Sequence, residues 1–423
     1  MTTMRSACVK AIIAVAAILF GLPPYALSQP TGTKKPAEPD STLTVSLLTA
    51  APGDDIYELE GHAALRLKSS TYDMTVNWGL FDFDSPNFVY RFVKGETDYM
   101  AGAIPTAYFI EQYRREGRRL KEQTFNLTPE EAGRLRELVE INLLPENRTY
   151  RYNYVRNNCS TRCIDIVERA IGDSVYLGAP AGELAGNVSF RDMMAYHHRN
   201  YPWYQFGIDL ALGNGIDHTL TNRQKAFAPT VLECQAEQAL RPDGTPLTLG
   251  TDILVAGDEH GTALAPTPWW ITPLAVCWAI FAVVISLTVA DINRGSVSRW
   301  LDSLLFGAMG LTGCVIAFLI FISVHEATSP NWLILWLNPL CFIPAILEWS
   351  RRCRAFLICY HFVNFAAILT MTILMTVGEQ NCNSAFIPLI ACSALRSTSY
   401  IYISLCGKRK ELKYSIKYSV RYS

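Results

Sequence analysis

The chain has 423 residues, 50% of them hydrophobic, and a formal net charge of -1. Near-neutral charge, with basic residues clustered only in the C-terminal tail, argues against a nucleic-acid partner. The length allows one or two soluble domains, but the hydrophobic residues are unevenly distributed, so composition is best read segment by segment.

Residues 1–28 read as a secretory signal, with an uncleaved anchor as the alternative: Arg5 and Lys10 precede an apolar run from Ala11 to Phe20, short for a span, and Ala26-Leu27-Ser28 forms a small-residue cleavage site. Residues 29–42 are a flexible linker rich in Pro, Thr and Lys. An exported domain is expected over 43–267. In it, 43–50, 62–68 and 73–79 read as strands, Thr106–Glu116 as a helix and Leu120–Leu127 as a strand. Thr128-Pro129-Glu130-Glu131 marks a helix start, with Thr as N-cap, Pro at the first position and Glu three residues after the cap. Arg148–Val155 alternates Tyr with polar residues, Asn157-Asn158 breaks the pattern, and a helix follows from Cys159 to Ile171. The expected class is α+β.

From 268 to 407, apolar runs recur near 270–290, 303–324, 331–348, 355–377 and 385–406, each close to the ~20 residues that cross the hydrocarbon core. Arg294 and Arg299 lie in the first connection and Arg351, Arg352 and Arg354 in the third, while the second and fourth carry no Lys or Arg. Lys408, Arg409, Lys410 and Lys413 lie in the tail, 408–423. The positive-inside rule makes those basic segments cytoplasmic, so five spans place the domain after the signal outside, in agreement with the signal itself. Arg396 falls inside a span, where a charge implies a role, a buried partner or snorkelling. His325 and Asn331 fall at the outer ends of spans, placed either to meet a lipid headgroup or as ordinary interfacial residues.

Of 12 cysteines, only Cys159, Cys163 and Cys234 lie in the exported domain; Cys163 reads as core or as half of a disulfide with Cys234. A cysteine in the first turn of a helix faces unpaired N–H groups and the positive end of the helix dipole, both of which favour thiolate. The same N–H groups can stabilise an oxyanion formed at an ester or amide carbonyl. His62, on a strand, is the candidate base, with Asn77 to orient it and Asp82 as the second choice. A packed core cysteine and an ordinary strand histidine are the competing readings. His197-His198 lacks metal-site spacing, and neither a P-loop nor a dinucleotide fingerprint occurs, so no cofactor or metal is expected.

Four segments resemble the exported domain of the Lnb family of integral-membrane lipoprotein N-acyltransferases. They are Gly-His-Ala-Ala-Leu-Arg-Leu (61–67), Asn-Trp-Gly-Leu-Phe-Asp-Phe (77–83), Phe-Val-Lys-Gly-Glu-Thr-Asp-Tyr (92–99) and Tyr-Arg-Tyr-Asn-Tyr-Val-Arg-Asn-Asn-Cys-Ser-Thr-Arg (150–162). The resemblance continues through Phe190-Arg191, Trp203–Gly213 and His325–Pro339, with Trp78 standing where Tyr is expected. It implies a permuted papain-like (NlpC/P60-related) thiol domain followed by an α-helical membrane domain of five transmembrane helices. It also implies catalytic Cys159 and His62, with Asn77 carried over more loosely. The implied acyl donor is membrane phospholipid, the acceptor a diacylated lipoprotein, and the location the bacterial inner membrane with the thiol domain in the periplasm. A membrane-anchored cysteine hydrolase acting on peptidoglycan or peptides is the alternative, and a non-enzymatic binder the third reading.

Overall fold

A computed structural model describes residues 42–81, 86–257 and 266–419, with side chains of the last helix described as far as 406. The expected signal peptide, most of the linker, Asp82 and the side chains of the basic tail lie outside the described residues.

The chain divides into two compact units, and each is discontinuous: one comprises 1–183 and 221–262, the other 184–220 and 263–423. Segment 184–220, read from its polarity as part of one continuous exported domain, groups with the membrane helices instead.

The first unit is α+β. Its strands are β1 (Thr44–Ala50), β2 (His62–Lys68) and β3 (Asp73–Leu80), followed by helix α1 (Phe88–Lys94), β4 (Asp98–Pro105) and α2 (Thr106–Glu116). Then come β5 (Leu120–Phe125), α3 (Pro129–Asn142), β6 (Thr149–Arg151) and α4 (Cys159–Ile171). The seven-stranded sheet closes with β7 (Thr248–Val255), in the order β6-β4-β3-β2-β1-β5-β7, and every pairing is antiparallel.

Alternation along β1 and β2 explains the layering. Val45, Leu47, Ala63, Leu65 and Leu67 enter the main core with α3 and α4, while Leu48, Ala50 and Ala64 face Phe109 and Tyr113 of α2. α3 starts where the sequence places it, with Thr128 and Glu131 capping each other reciprocally. The Tyr-rich alternation after Arg148 yields only the three residues of β6, because Asn153 Oδ1 draws the N–H groups of Val155 and Arg156 into a turn. Trp78, the departure from Tyr, is fully buried and donates its indole N–H to Asn142 Oδ1 at 2.7 Å.

The second unit begins with α5 (Phe190–His197) and α6 (Pro202–Ala211). After the first unit's short helices α7 (Asn222–Lys225) and α8 (Pro229–Ala236), it resumes with α9 (Pro273–Arg294) and α10 (Arg299–Phe321). It ends with the short α11 (Phe342–Leu347), then α12 (Arg354–Thr376) and α13 (Phe386–Ser419). Among the described residues four stretches, 273–294, 299–321, 351–376 and 386–406, are long and apolar enough to cross a membrane.

The expected span at 331–348 is a shorter, broken apolar segment. Pro339 and Pro344 remove N–H donors there, and Asn331 and Asn338 cap short turns with their side chains. It still runs between the two ends of the bundle. Trp332 N–H meets Gln380 Oε1 after α12, whereas Ser303 Oγ, near the start of α10, donates to the Ala345 carbonyl and accepts from Trp349 Nε1. Its backbone passes so close to α10 that a Cβ on Gly313 would lie 2.4 Å from Asn338.

Arg396 of α13 is fully buried. It forks onto Asp302 of α10 at 2.5 and 2.9 Å and reaches Asp291 and Thr288 of α9, each at 2.9 Å. It therefore has buried partners and does not snorkel.

Candidate active site

Two element starts build the site. α4 begins at Cys159 because Asn158 Oδ1 accepts the Thr161 N–H at 3.0 Å while Thr161 Oγ1 accepts the Asn158 N–H at 2.9 Å. The Asn158 amide also donates to the Tyr154 and Phe227 carbonyls, and Ser160 Oγ donates to the Ala226 carbonyl at 2.6 Å. Cys159 is thus held from both sides.

β2 begins at His62, just after Gly61. Gly61 has φ 85°, and a Cβ there would sit 2.5 Å from the Ala50 carbonyl, so the chain enters the strand only through glycine. Ala64 pairs with Asn77 across β2 and β3, which sets His62 and Asn77 diagonally on one sheet face. His62 Nε2 lies 2.7 Å from Asn77 Oδ1. Nε2–H donating to that carbonyl oxygen leaves Nδ1 for the thiol.

The Cys159 thiol hydrogen-bonds His62 and meets the backbone N–H groups of Ala63 and Ser160. Burial opposes its ionisation, but the His62 imidazolium and these hydrogen bonds outweigh it, so the thiol lies below its ordinary value. Burial likewise opposes charge on His62. The Cys159 thiolate and the bonds to Cys159 and Asn77 prevail, against a smaller opposing effect of Arg118, and hold the imidazole above its ordinary value. Each group stabilises the charge of the other.

The three sequence candidates therefore come together, while Asp82 lies outside the described residues. Cys163, one turn along α4, is buried, and burial raises its thiol well above the ordinary range. Cys163 and Cys234 are both free thiols.

Sequence reasoning missed the surroundings. Arg118 is buried, donates twice to the Ala51 carbonyl and pairs with Glu58 and Glu116, each at 2.9 Å. Tyr154 donates to Glu60, a buried carboxylate two residues before His62. The Phe109 ring lies 6.5 Å from His62, and Tyr152 stacks on Tyr99 at 4.1 Å. The Tyr150–Tyr152–Tyr154 alternation before Cys159 was the available signal for an aromatic wall. Among the described residues no three His, Cys, Asp or Glu side chains group as metal ligands.

An α+β domain that places a thiol beside an imidazole, joined to apolar helices of spanning length, defines a membrane protein with a sheet-containing domain outside the spans. Two family profiles match the chain: the Lnb N-terminal periplasmic domain over 37–185 and the Lnb transmembrane domain over 265–408. The chain belongs to the Lnb family and is a membrane enzyme that modifies lipoproteins, with a periplasmic domain. No curated protein and no solved structure matches it.

The other resembling segments converge within the second unit. Arg191 is buried and bonds Asp209, Asp217 and the carbonyls of Leu212 and Gly213. Asn383 donates to Asp209, and Asn331 donates to the Leu210 carbonyl. Asn331, one of the two outer-end residues considered for a lipid headgroup, is thereby occupied in holding the fold.

Proposed function

We propose that the protein moves an acyl chain from membrane phospholipid, through a thioester on Cys159, to the α-amine of the diacylglyceryl-cysteine at a lipoprotein N-terminus. The observation that supports this most is the hydrogen-bonded Cys159–His62 pair in a chain of a lipoprotein-modifying family.

The Cys159 thiolate attacks an ester carbonyl of the lipid, forming a C–S bond and an oxyanion, which the N–H groups of the first turn of α4 are available to stabilise. Collapse breaks the ester C–O bond, and the His62 imidazolium protonates the departing lysophospholipid oxygen. His62 is then neutral and takes a proton from the lipoprotein amine as that amine attacks the thioester. Amide formation expels the Cys159 thiolate and restores the pair. With an unperturbed pKa near ~8, the amine has a usable neutral fraction at pH ~7.

Asn77 is a positioning residue, keeping His62 in the tautomer that leaves Nδ1 toward the thiol. The membrane anchor confines enzyme, donor and acceptor to one surface, which favours transfer over hydrolysis. In this reading residues 1–28 are the export signal, 408–423 the cytoplasmic tail, and the protein resides in the inner membrane with the thiol domain in the periplasm.

The test is mass spectrometry of lipoprotein N-termini, together with a muropeptide profile, from cells carrying either the wild-type protein or Cys159→Ala. Loss of the third acyl chain in the variant is the expected result. Unchanged acylation overturns the reading; altered muropeptides would then indicate a hydrolase.

A further inference from the structure

A cavity of about 500 Å³ lies wholly within the first unit, between the end of α3, the Arg156–Asn157 turn and α4. Arg162 and Arg169 of α4 line it. Two carboxylates line it as well, Asp165 and Glu168, but Arg223 of α7 pairs with both, at 2.5 and 3.1 Å. Neither Arg162 nor Arg169 has a carboxylate partner among the described residues.

Arg162 is fixed in place and yet unsatisfied. It is half-buried, its Nε donates to Asn157 Oδ1 at 2.6 Å, and its guanidinium lies 4.0 Å over the Tyr150 ring. These contacts set the plane of the fork, while Nη1 and Nη2 donate to no acceptor among the described residues. Burial, seconded by the neighbouring Arg169, holds the guanidinium below its ordinary range against the smaller opposing effects of Tyr150 and Asp165. A charge partly withdrawn from water with no counter-ion is costly. A pinned guanidinium with both terminal nitrogens open to a cavity is met best by an oxyanion that can take two parallel hydrogen bonds.

The position along α4 identifies that anion. Arg162 follows Cys159 by three residues, so the two side chains leave one helix face about 4.5 Å apart along its axis. Tyr150, beneath Arg162, lies within reach of the same thiol: after burial, the Cys159 charge is what most raises its hydroxyl. In a glycerophospholipid the phosphate and the central acyl ester hang from adjacent glycerol carbons, a separation of the same order. Diacylglycerol has the esters without the anion, and an acidic peptide has the anion without the ester.

We propose that Arg162, with Arg169, binds the phosphate of the phospholipid acyl donor in this cavity and so presents the donor's ester one turn back along α4, at Cys159. The thiol domain thereby selects a phospholipid over an uncharged diacylglycerol. The inference deepens the reading above, on which it rests for what the bound lipid is used for.

Arginine protection in the full-length protein in detergent tests it. Cys159→Ala is used, so that no donor is consumed through the thiol. Phenylglyoxal modifies accessible guanidiniums in the presence of phosphatidylglycerol, diacylglycerol of the same acyl chains or inorganic phosphate, and peptide mass spectrometry reads each arginine. Arg115, 77% exposed on α2, is the reference for any general effect of a charged micelle. Relative to it, phosphatidylglycerol should half-protect Arg162 at a concentration at least about tenfold below that of diacylglycerol, the ratio expected for one charge-assisted contact. Equal protection by the two lipids, or none, overturns the proposal. So does equal protection by inorganic phosphate at the same concentration, which would make the cavity a soluble-anion site.

Arg162→Gln, with Cys159 intact, should raise the KM for phosphatidylglycerol by about tenfold while iodoacetamide alkylates Cys159 at the wild-type rate. Slowed alkylation with an unchanged KM would show that the arginine only shapes the thiol site. A rise confined to the KM of the lipopeptide acceptor would put the anion on the acceptor; either result overturns the proposal. The two readings fail separately. Protection of Arg162 beside persistent triacylation in Cys159→Ala would sink the thiol mechanism and leave the phosphate site standing, and the opposite pair of results would sink the phosphate site alone.

Discussion

The Cys159–His62 pair and the Arg396–Asp291–Asp302 cluster are both charge groupings, the first partly and the second fully withdrawn from water, yet they differ in one chemical respect. A thiolate and an imidazolium can cancel by moving one proton, so their pair can form, vanish and reform during a reaction. A guanidinium cannot lose its charge in a protein, so Arg396 must keep its carboxylates in every state. The first grouping is suited to chemistry and the second to holding helices together. The contrast also shows why a buried charge inside a membrane is an ambiguous functional signal until its partners are known.

The contrast can be broken from either side. His62→Ala should lower acyl transfer by roughly 10²–10⁴-fold, the range for losing a general base, while the melting curve barely moves. Quantitative lipoprotein acylation and thermal unfolding of the same preparation check it. Arg396→Met should do the reverse. Removing one partner of a buried ion cluster costs about 3–5 kcal/mol, so the unfolding temperature in detergent should fall while turnover per folded molecule persists.

A finer test uses pH. The reactive pair exists above the depressed pKa of Cys159 and below the raised pKa of His62, so a plot of rate against pH should be bell-shaped. Asn77 supports the charged imidazole, so Asn77→Ala lowers the His62 pKa and should move the alkaline limb to lower pH. His62→Ala removes the cation that favours thiolate, so alkylation of Cys159 by iodoacetamide at neutral pH should slow. Unaltered alkylation would show that the two groups are not coupled. The smallest effect is expected far from the site. Thr128→Ala, which removes the cap of α3, should cost about 1 kcal/mol of stability and leave the pH profile unchanged.

Local signals made part of this structure legible in the sequence. The caps of α3 and α4 and the alternation of β1 to β3 are written in neighbouring residues, and the helix start at Cys159 with its strand-borne partner His62 followed from them. β4 was not legible, because Asp-Tyr-Met-Ala-Gly-Ala-Ile-Pro lacks a clear apolar alternation and is stabilised by strands on both sides. β7 is an edge strand, exposed along most of its length, and carries no burial pattern to read. Arg118 reaches the site, and Tyr154 finds Glu60, through tertiary contacts that no spacing announces. The polarity of 184–220 described its surface correctly but not the unit to which it belongs.

That last segment bears on the order of assembly during synthesis. Arg191, Asp209 and Asp217 are made before the four described helices of spanning length, yet Asp209 meets Asn383 174 residues later, and Asp217 accepts the Asn381 N–H 164 residues later. Contacts so distant in sequence close late. The segment must therefore wait for the connection between α12 and α13 to arrive. A fragment ending before α9 would strand it permanently without those partners.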